Sequence, residues 1–228
     1  PALLHEHVDK SCPSAVIYGC AGTEITAAEA RFFAEKKPLG LILFSRNIQT
    51  PRQVTDLITS FQKSVAFSDP LILIDQEGGR VARLGPPNWH KKAAASVFGK
   101  IFDCDPLRAL EAVRLNSEIQ ARELSMIGIN TNCSPVADLY WPNSHKIIGD
   151  RAFASNPKIV TSLAREVCLG HLSNGVLPII KHIPGHGRAM ADSHLELPII
   201  DACQDELLQT DFEVFRQLSD MPAAMTCL

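Results

Sequence analysis

The stretch VLPIIKHIPGHGRAMADSH, residues 176–194, carries the decisive contrast of this sequence. Its first five residues are apolar on both strand faces. The fourteen that follow hold three histidines, a lysine, an arginine, an aspartate and two glycines. A run with no polar alternation fits a strand covered on both sides, which is the habit of parallel sheets. Ionisable side chains gathered just beyond such a strand mark the end at which parallel α/β folds place their chemistry.

The same contrast recurs along the chain. SAVIYGCAG (14–22), GLILFSRN (40–47), PLILIDQEGG (70–79), INTNCSPVADL (129–139) and VLPIIKH (176–182) each read as a buried strand with a polar or glycine-rich exit, and AAMTCL (223–228) as a sixth strand. Helices are expected between them. Thr50-Pro51 offers an N-cap and a first-turn proline. Residues 105–128 run from an Asp cap to a Gly stop, 156–175 from Asn to Gly, and 205–220 continue with helical spacing. Strand–helix alternation implies a parallel α/β fold, either a (β/α)8 TIM-type barrel or an open doubly wound sheet. Both put the functional face at the strand ends.

The totals narrow the class. A chain of 228 residues, 46% hydrophobic, builds one sizeable core, and residues 1–228 are expected to form a single barrel domain. A net charge of -3 without basic clusters gives no nucleic-acid surface. No apolar run reaches the ~20 residues of a membrane helix, and PALLHEHVDK lacks the pattern of a secretory signal. Seven cysteines without a C-x-x-C read as free thiols, which points to the cytoplasm. Cys20, Cys133, Cys168 and Cys227 sit in apolar runs as small hydrophobes. About six strand–helix units are counted where a barrel has eight, and the chain stops in a strand. A truncated barrel, or a partner chain covering the open edge, is the expectation.

Three motifs carry candidate chemistry. Asp75 ends a strand, and the Gly78-Gly79 pair lets backbone approach a ligand or makes an ordinary turn. Arg151, in IIGDRAF (147–153), is either a planar donor fork for a ligand or half of a surface turn with Asp150. The loop 181–194 has three readings. It is a bland polar loop, a metal site of His182, His186, His194 and Asp192, or an acid–base pair in which Asp192 orients His194. Pro184-Gly185 separates His182 from His186, so they do not share a helix face.

KHIPGHGRAMADSH resembles the loop K-H-F-P-G-H-G-x-x-x-x-D-S-H of glycoside hydrolase family 3 β-N-acetylglucosaminidases, with Ile183 in place of Phe. GLILFSRN, DQEGGRVARL, SPVADL and IGDRAF resemble family segments in the same order. The resemblance implies a (β/α)8 barrel without metal or organic cofactor. It implies retaining hydrolysis of terminal β-1,4-linked N-acetylglucosamine from muropeptide fragments in bacterial peptidoglycan recycling. By the same likeness His194 is the general acid/base and Asp192 orients it, while Asp75, Arg83, Arg151, Lys181 and His182 hold the sugar. The family's nucleophilic Asp follows the seventh strand and has no counterpart in these 228 residues, so little activity is expected of this chain alone. The rival expectations are a metal-dependent barrel hydrolase and a non-catalytic sugar-binding remnant.

Overall fold

The computed structural model describes residues 12–65, 67–142, 146–189 and 199–227. The chain divides between Ile74 and Asp75 into two compact units.

The first unit holds β1 (Ser14–Tyr18), α1 (Ala27–Lys36), β2 (Pro38–Leu43), α2 (Pro51–Val65) and β3 (Leu71–Ile74). β1 pairs parallel with β2, and β2 parallel with β3. Gly40 faces Leu71 in that register, and a Cβ there would stand 2.4 Å from the Leu71 carbonyl oxygen. The expected Thr50 cap is present, accepting from the Gln53 amide at 3.2 Å. α2 buries Val54, Leu57, Ile58, Phe61 and Val65, which fall on one helical stripe. α1 lies in a segment where the sequence reading gave no helix. It buries only Phe33, so its apolar pattern is too short to show periodicity. Its start is fixed by a Thr26–Glu29 capping box.

The second unit holds α3 (Ala95–Cys104), α4 (Pro106–Ser125), β4 (Thr131–Asn132), α5 (Pro157–Leu172), β5 (Leu177–Pro178), β6 (Ile180–Ile183), α6 (Gln204–Gln209), α7 (Asp211–Gln217) and β7 (Ala224–Thr226). β4 runs parallel to β5 and β6 parallel to β7, with a parallel bridge between Val136 and Lys181. The expected caps are in place: Asp105 accepts from Arg108 N at 3.0 Å, and Asn156 from Lys158 N at 2.9 Å. α4 and α5 pack so closely at Gly170 that an added Cβ would meet Ser117 Cβ at 2.7 Å. Phe98, Leu139, Phe153, Leu163, Ile180 and Phe215 belong to one buried cluster.

Two expectations change in detail. The helix expected over 205–220 is broken at Thr210, whose hydroxyl bonds the Glu206 carbonyl at 2.7 Å and Asp211 Oδ2 at 2.9 Å. Those local bonds compete with a continuous helical ladder. α3 was not anticipated: it has no side-chain N-cap and carries a glycine at 99, which weakens its local signal. A Cβ at Gly99 would stand 1.8 Å from the Phe153 carbonyl oxygen, so packing imposes the glycine.

Candidate active site

The residues just past β3 supply the acids. Asp75 and Glu77 are two apart in an extended exit, a spacing that puts side chains on the same side. Lys181, from β6, joins them: its Nζ lies 2.8 Å from Asp75 Oδ1 and 2.6 Å from Glu77 Oε1. Arg151 closes a two-pronged pair on Glu77, Nε to Oε2 at 2.8 Å and Nη2 to Oε1 at 2.9 Å. Arg83 reaches Asp75 Oδ2 with Nη2 at 3.3 Å. The result is three cations on two carboxylates, and the Lys181 side chain is only 3% exposed.

Charge complementarity sets the ionisation here. Burial pushes Asp75 upward, but Lys181 and then Arg83 outweigh it and hold the carboxyl below its ordinary value. Glu77 is likewise held down against burial, by Arg151 and Lys181. Burial opposes the charge on Lys181, yet Glu77 and Asp75 raise it above the ordinary lysine value. Asp75, Glu77 and Lys181 are therefore charged at neutral pH.

The surrounding backbone is fixed by side-chain amides. Gln76 Oε1 accepts from the amides of Arg83 and Leu84 at 2.8 and 2.9 Å, and its Nε2 donates to the Leu84 carbonyl. That pins the loop carrying Arg83. Asn132 in β4 bonds both backbone groups of Gln76, accepting from its N–H at 3.0 Å and donating to its C=O at 2.9 Å. Behind it His171 is fully buried: Nδ1 faces the Val167 carbonyl and Nε2 faces Asn132 Nδ2, each at 2.9 Å. A carbonyl only accepts, so Nδ1 carries the proton, and burial lowers the imidazole to about 4.

A second constellation lies one residue along β6. His182 Nδ1 stands 2.6 Å from Asp138 Oδ2, and Asp138 Oδ1 accepts from the backbone amides of His182 and His186 at 3.3 and 2.8 Å. The carboxylate selects the His182 tautomer with the proton on Nδ1, leaving Nε2 as the acceptor. His182 and His186 rings lie 5.9 Å apart, and Cys227 Sγ is 3.0 Å from His186 Nδ1. The cysteine pattern gave no sign of that last pairing. Cys20, Cys133 and Cys168 are buried, as their apolar runs suggest, and burial pushes their thiols to about 11, 12 and 12. None of the seven cysteines, all of them among the described residues, is in a disulfide.

The structure thus joins Asp75, Arg83, Arg151 and Lys181 in one array and places His182 beside it. Asp192 and His194 lie outside the described residues. Among the described residues no group of three or more His, Cys, Asp or Glu is arranged to hold a metal ion. Glu77 and Asp138 were not singled out from sequence. Three cations around a single Asp75 called for a second acid, and an Asp within the apolar run SPVADL called for a buried partner. The Gly78-Gly79 pair serves the chain itself: a Cβ on Gly78 would meet the Ala93 carbonyl oxygen at 2.3 Å, and one on Gly79 the Ala94 Cβ at 2.7 Å. Their φ values of +101° and +57° also favour glycine.

Known proteins resemble this chain over most of its length. Residues 15–227 match the glycosyl hydrolase family 3 N-terminal domain. The β-hexosaminidase of Bordetella avium (strain 197N) is 33% identical over 216 residues, 93% of this chain and 61% of that protein. That of Alkalilimnicola ehrlichii is 36% identical over 216 residues, 92% of this chain and 60% of its own length. NagZ from Neisseria gonorrhoeae, solved in complex with N-trifluoroacetyl-D-glucosamine, superposes with a TM-score of 0.88 at 33% identity, covering 94% of this chain and 63% of that one. A family 3 β-N-acetylglucosaminidase from Paenibacillus sp. str. FPU-7 gives 0.83 at 30% identity, with 92% and 40% covered. The chain spans about 60% of the length of the curated relatives it matches. The fold is of the TIM-barrel class, with parallel β/α units. This chain belongs to glycosyl hydrolase family 3.

Proposed function

We propose that the protein carrying this chain is a β-N-acetylhexosaminidase that removes terminal β-1,4-linked N-acetylglucosamine from muropeptide fragments with retention of configuration. Asp75, Arg83, Arg151, Lys181 and His182 hold the sugar. His194 is the general acid/base and Asp192 orients it. The observation that carries the reading is the array around Asp75, Glu77 and Lys181. Buried ionised donors and acceptors at strand ends suit a ligand dense in hydroxyls. Within it Arg83 Nε is buried and lacks a hydrogen-bond partner among the described residues, a donor left for a ligand oxygen.

In this reading a carboxylate attacks the anomeric carbon while His194 gives a proton to the departing glycosidic oxygen. The C–O bond to the aglycone breaks as the C–O bond to the enzyme forms. Water then attacks the anomeric carbon, His194 takes its proton, and the carboxylate leaves. None of these 228 residues is assigned the nucleophile's role. The two relatives named β-hexosaminidase and the structure holding a glucosamine derivative support the substrate class. Seven cysteines without a disulfide support a reducing compartment, the cytoplasm. Among the described residues no helix is long and apolar enough to cross a membrane.

The test is hydrolysis of an aryl β-N-acetylglucosaminide by the protein carrying this chain, with the product anomer followed by NMR. His194→Ala is expected to lower kcat by roughly 10²-fold or more, and Asp192→Ala to lower it less. Equal rates in wild type and both variants, or first formation of the α-anomer, would overturn the assignment.

A further inference from the structure

Arg80 belongs to the DQEGGR motif, yet it makes no contact with the Asp75–Glu77–Lys181 array among the bonds described above. Its contacts go to residues 146–150. Nη2 lies 2.8 Å from the Lys146 carbonyl oxygen, 2.6 Å from that of Ile147 and 3.2 Å from that of Ile148. Nε donates to Asp150 Oδ1 at 2.8 Å. One guanidinium therefore gathers three consecutive carbonyls and the carboxylate just beyond them.

The same segment aims Arg151. The chain turns at Gly149, where φ is +46°, and a tight turn over Gly149–Arg151 follows. Arg151 then reaches Glu77 with Nε and Nη2, while its Nη1 donates to the Ile147 carbonyl at 3.0 Å. Ile147 O is thus shared by Arg80 and Arg151. Three neighbouring carbonyls crowd their partial negative charge onto Arg80 Nη2 while Nε holds the Asp150 carboxylate, a division that the two arms of one guanidinium make and a single ammonium does not. Without Arg80 those oxygens repel one another, and Arg151 loses the fixed acceptor that orients its far prong.

We propose that Arg80 is a positioning residue for Arg151: it fixes the Ile147 carbonyl and the 149–151 turn, and through them holds the Arg151 guanidinium on Glu77. Arg80 and Asp150 also line a cleft of about 940 Å³ walled by Lys100, Trp141 and Phe153. Small solutes reach the clasp through it. The side chains of Arg80 and Asp150 are each 47% exposed, so removing the clasp leaves the core intact.

The sugar-binding part of the test rests on the function proposed above; the first part does not. In 15N-labelled protein, hydrogen exchange at Arg151 Nε–H is expected to be slow, and at least about tenfold faster in Arg80→Ala, as one oriented charge-assisted bond is lost. Unchanged exchange sinks the proposal. Arg80→Lys keeps charge without the fork and is expected to fall between. Methylguanidinium at tens of millimolar is expected to slow exchange again in Arg80→Ala but not in Arg80→Lys. In the second part, N-acetylglucosamine affinity is measured for Arg80→Ala, Arg151→Ala and the double variant. Arg80→Ala is expected to weaken binding about tenfold, with the double variant no worse than Arg151→Ala alone. Additive losses would show that Arg80 acts independently and overturn the proposal. If wild type binds no sugar, the substrate reading has failed, and the exchange measurement alone decides the clasp.

Discussion

His182 Nδ1 lies 2.6 Å from Asp138 Oδ2, and the Asp138 side chain is fully buried. The carboxylate holds more than the ring. Its other oxygen takes the amides of His182 and His186, so one acid organises the first turn beyond β6. Asp138→Ala strips three donors of their acceptor in a closed site and is expected to cost ~2–4 kcal/mol. Asp138→Asn keeps an oxygen for the amides but puts an N–H group against the ring or the amides. It is expected to cost about half as much and to let His182 adopt the other tautomer. Urea unfolding measures the first effect and 15N shifts of the His182 ring the second. An Ala variant as stable as wild type would contradict this role.

Lys181 is the shared counter-ion of Asp75 and Glu77, and its loss should be felt as more than one missing bond. Lys181→Met fits the stem but leaves two buried carboxylates with Arg83 and Arg151 alone. The expected cost is ~3–5 kcal/mol, the range for breaking a buried pair by removing one partner. Adding Glu77→Gln to Lys181→Met is expected to recover part of that loss, because one uncompensated charge disappears. Denaturant midpoints for the four proteins form the cycle. A double variant that is simply the sum of two losses would show that Lys181 and Glu77 are not coupled.

The strands with their polar ends and the caps at Thr50, Asp105 and Asn156 are legible in the sequence, because buried runs and cap residues are local signals. So are Asp75, Arg83, Arg151 and Lys181 as a group, through the motif resemblance. Their connections were not. Lys181 and Asp75 are 106 positions apart, and only the fold brings Nζ to Oδ1. Glu77 stood two residues from Asp75, and only the excess of cations over named acids set it apart from a surface acid until Arg151 closed on it. Asp138 was hidden by its apolar neighbours, where its burial is the signal. The break at Thr210 was also illegible, since a threonine inside a helical run gives no sign that its hydroxyl will bond the Glu206 carbonyl and Asp211 instead of leaving the ladder whole. The roles of Asp192 and His194 rest on resemblance alone.

Arg188 makes a further prediction. Its guanidinium lies 3.7 Å over the Trp141 ring and pairs with Asp211, which is 2% exposed, and with Glu206 at 2.6 Å. Arg188→Ala leaves Asp211 buried without its cation and removes the stack. The expected loss is ~2–4 kcal/mol, with a change in tryptophan emission. Arg188→Lys keeps charge but not the planar stack and is expected to recover less than half. Thermal unfolding read by fluorescence decides it, and an unchanged Tm for Arg188→Ala would refute the clamp.

Gly187 is demanded by space rather than by backbone conformation. A Cβ there would stand 1.9 Å from the Leu139 carbonyl oxygen, next to Asp138. Gly187→Ala must push that backbone away and is expected to cost at least ~2 kcal/mol. Gly22→Ala is the control, because nothing lies within 4 Å of its added methyl. If both variants unfold at the same denaturant concentration, the close approach is absent in solution.

The acid side of the stability profile separates His171 from the carboxylates. Burial lowers the His171 imidazole from 6.5 to about 4, so the unfolded chain binds a proton that the folded chain refuses. Stability therefore falls as pH drops from about 6.5 to about 4, by roughly 3 kcal/mol, and this loss levels off below. Asp75 and Glu77 act lower. Their folded values lie below the ordinary 3.8 and 4.5, so their contribution is present above those values and is lost as pH falls through the depressed ones. Lys181 acts at the other end, its raised value keeping its contribution below 10.5 and losing it as pH climbs beyond. His171→Gln gives up the bond to Val167, so it is expected to be less stable at pH 7. Its unfolding free energy should nevertheless be flatter than that of wild type between pH 6.5 and 4, with the two curves regaining parallel slopes below. Urea titrations at half-unit pH steps measure both curves. Equal slopes in the upper window would mean that His171 is not the neutral buried group behind Asn132, and the account of that network would have to change.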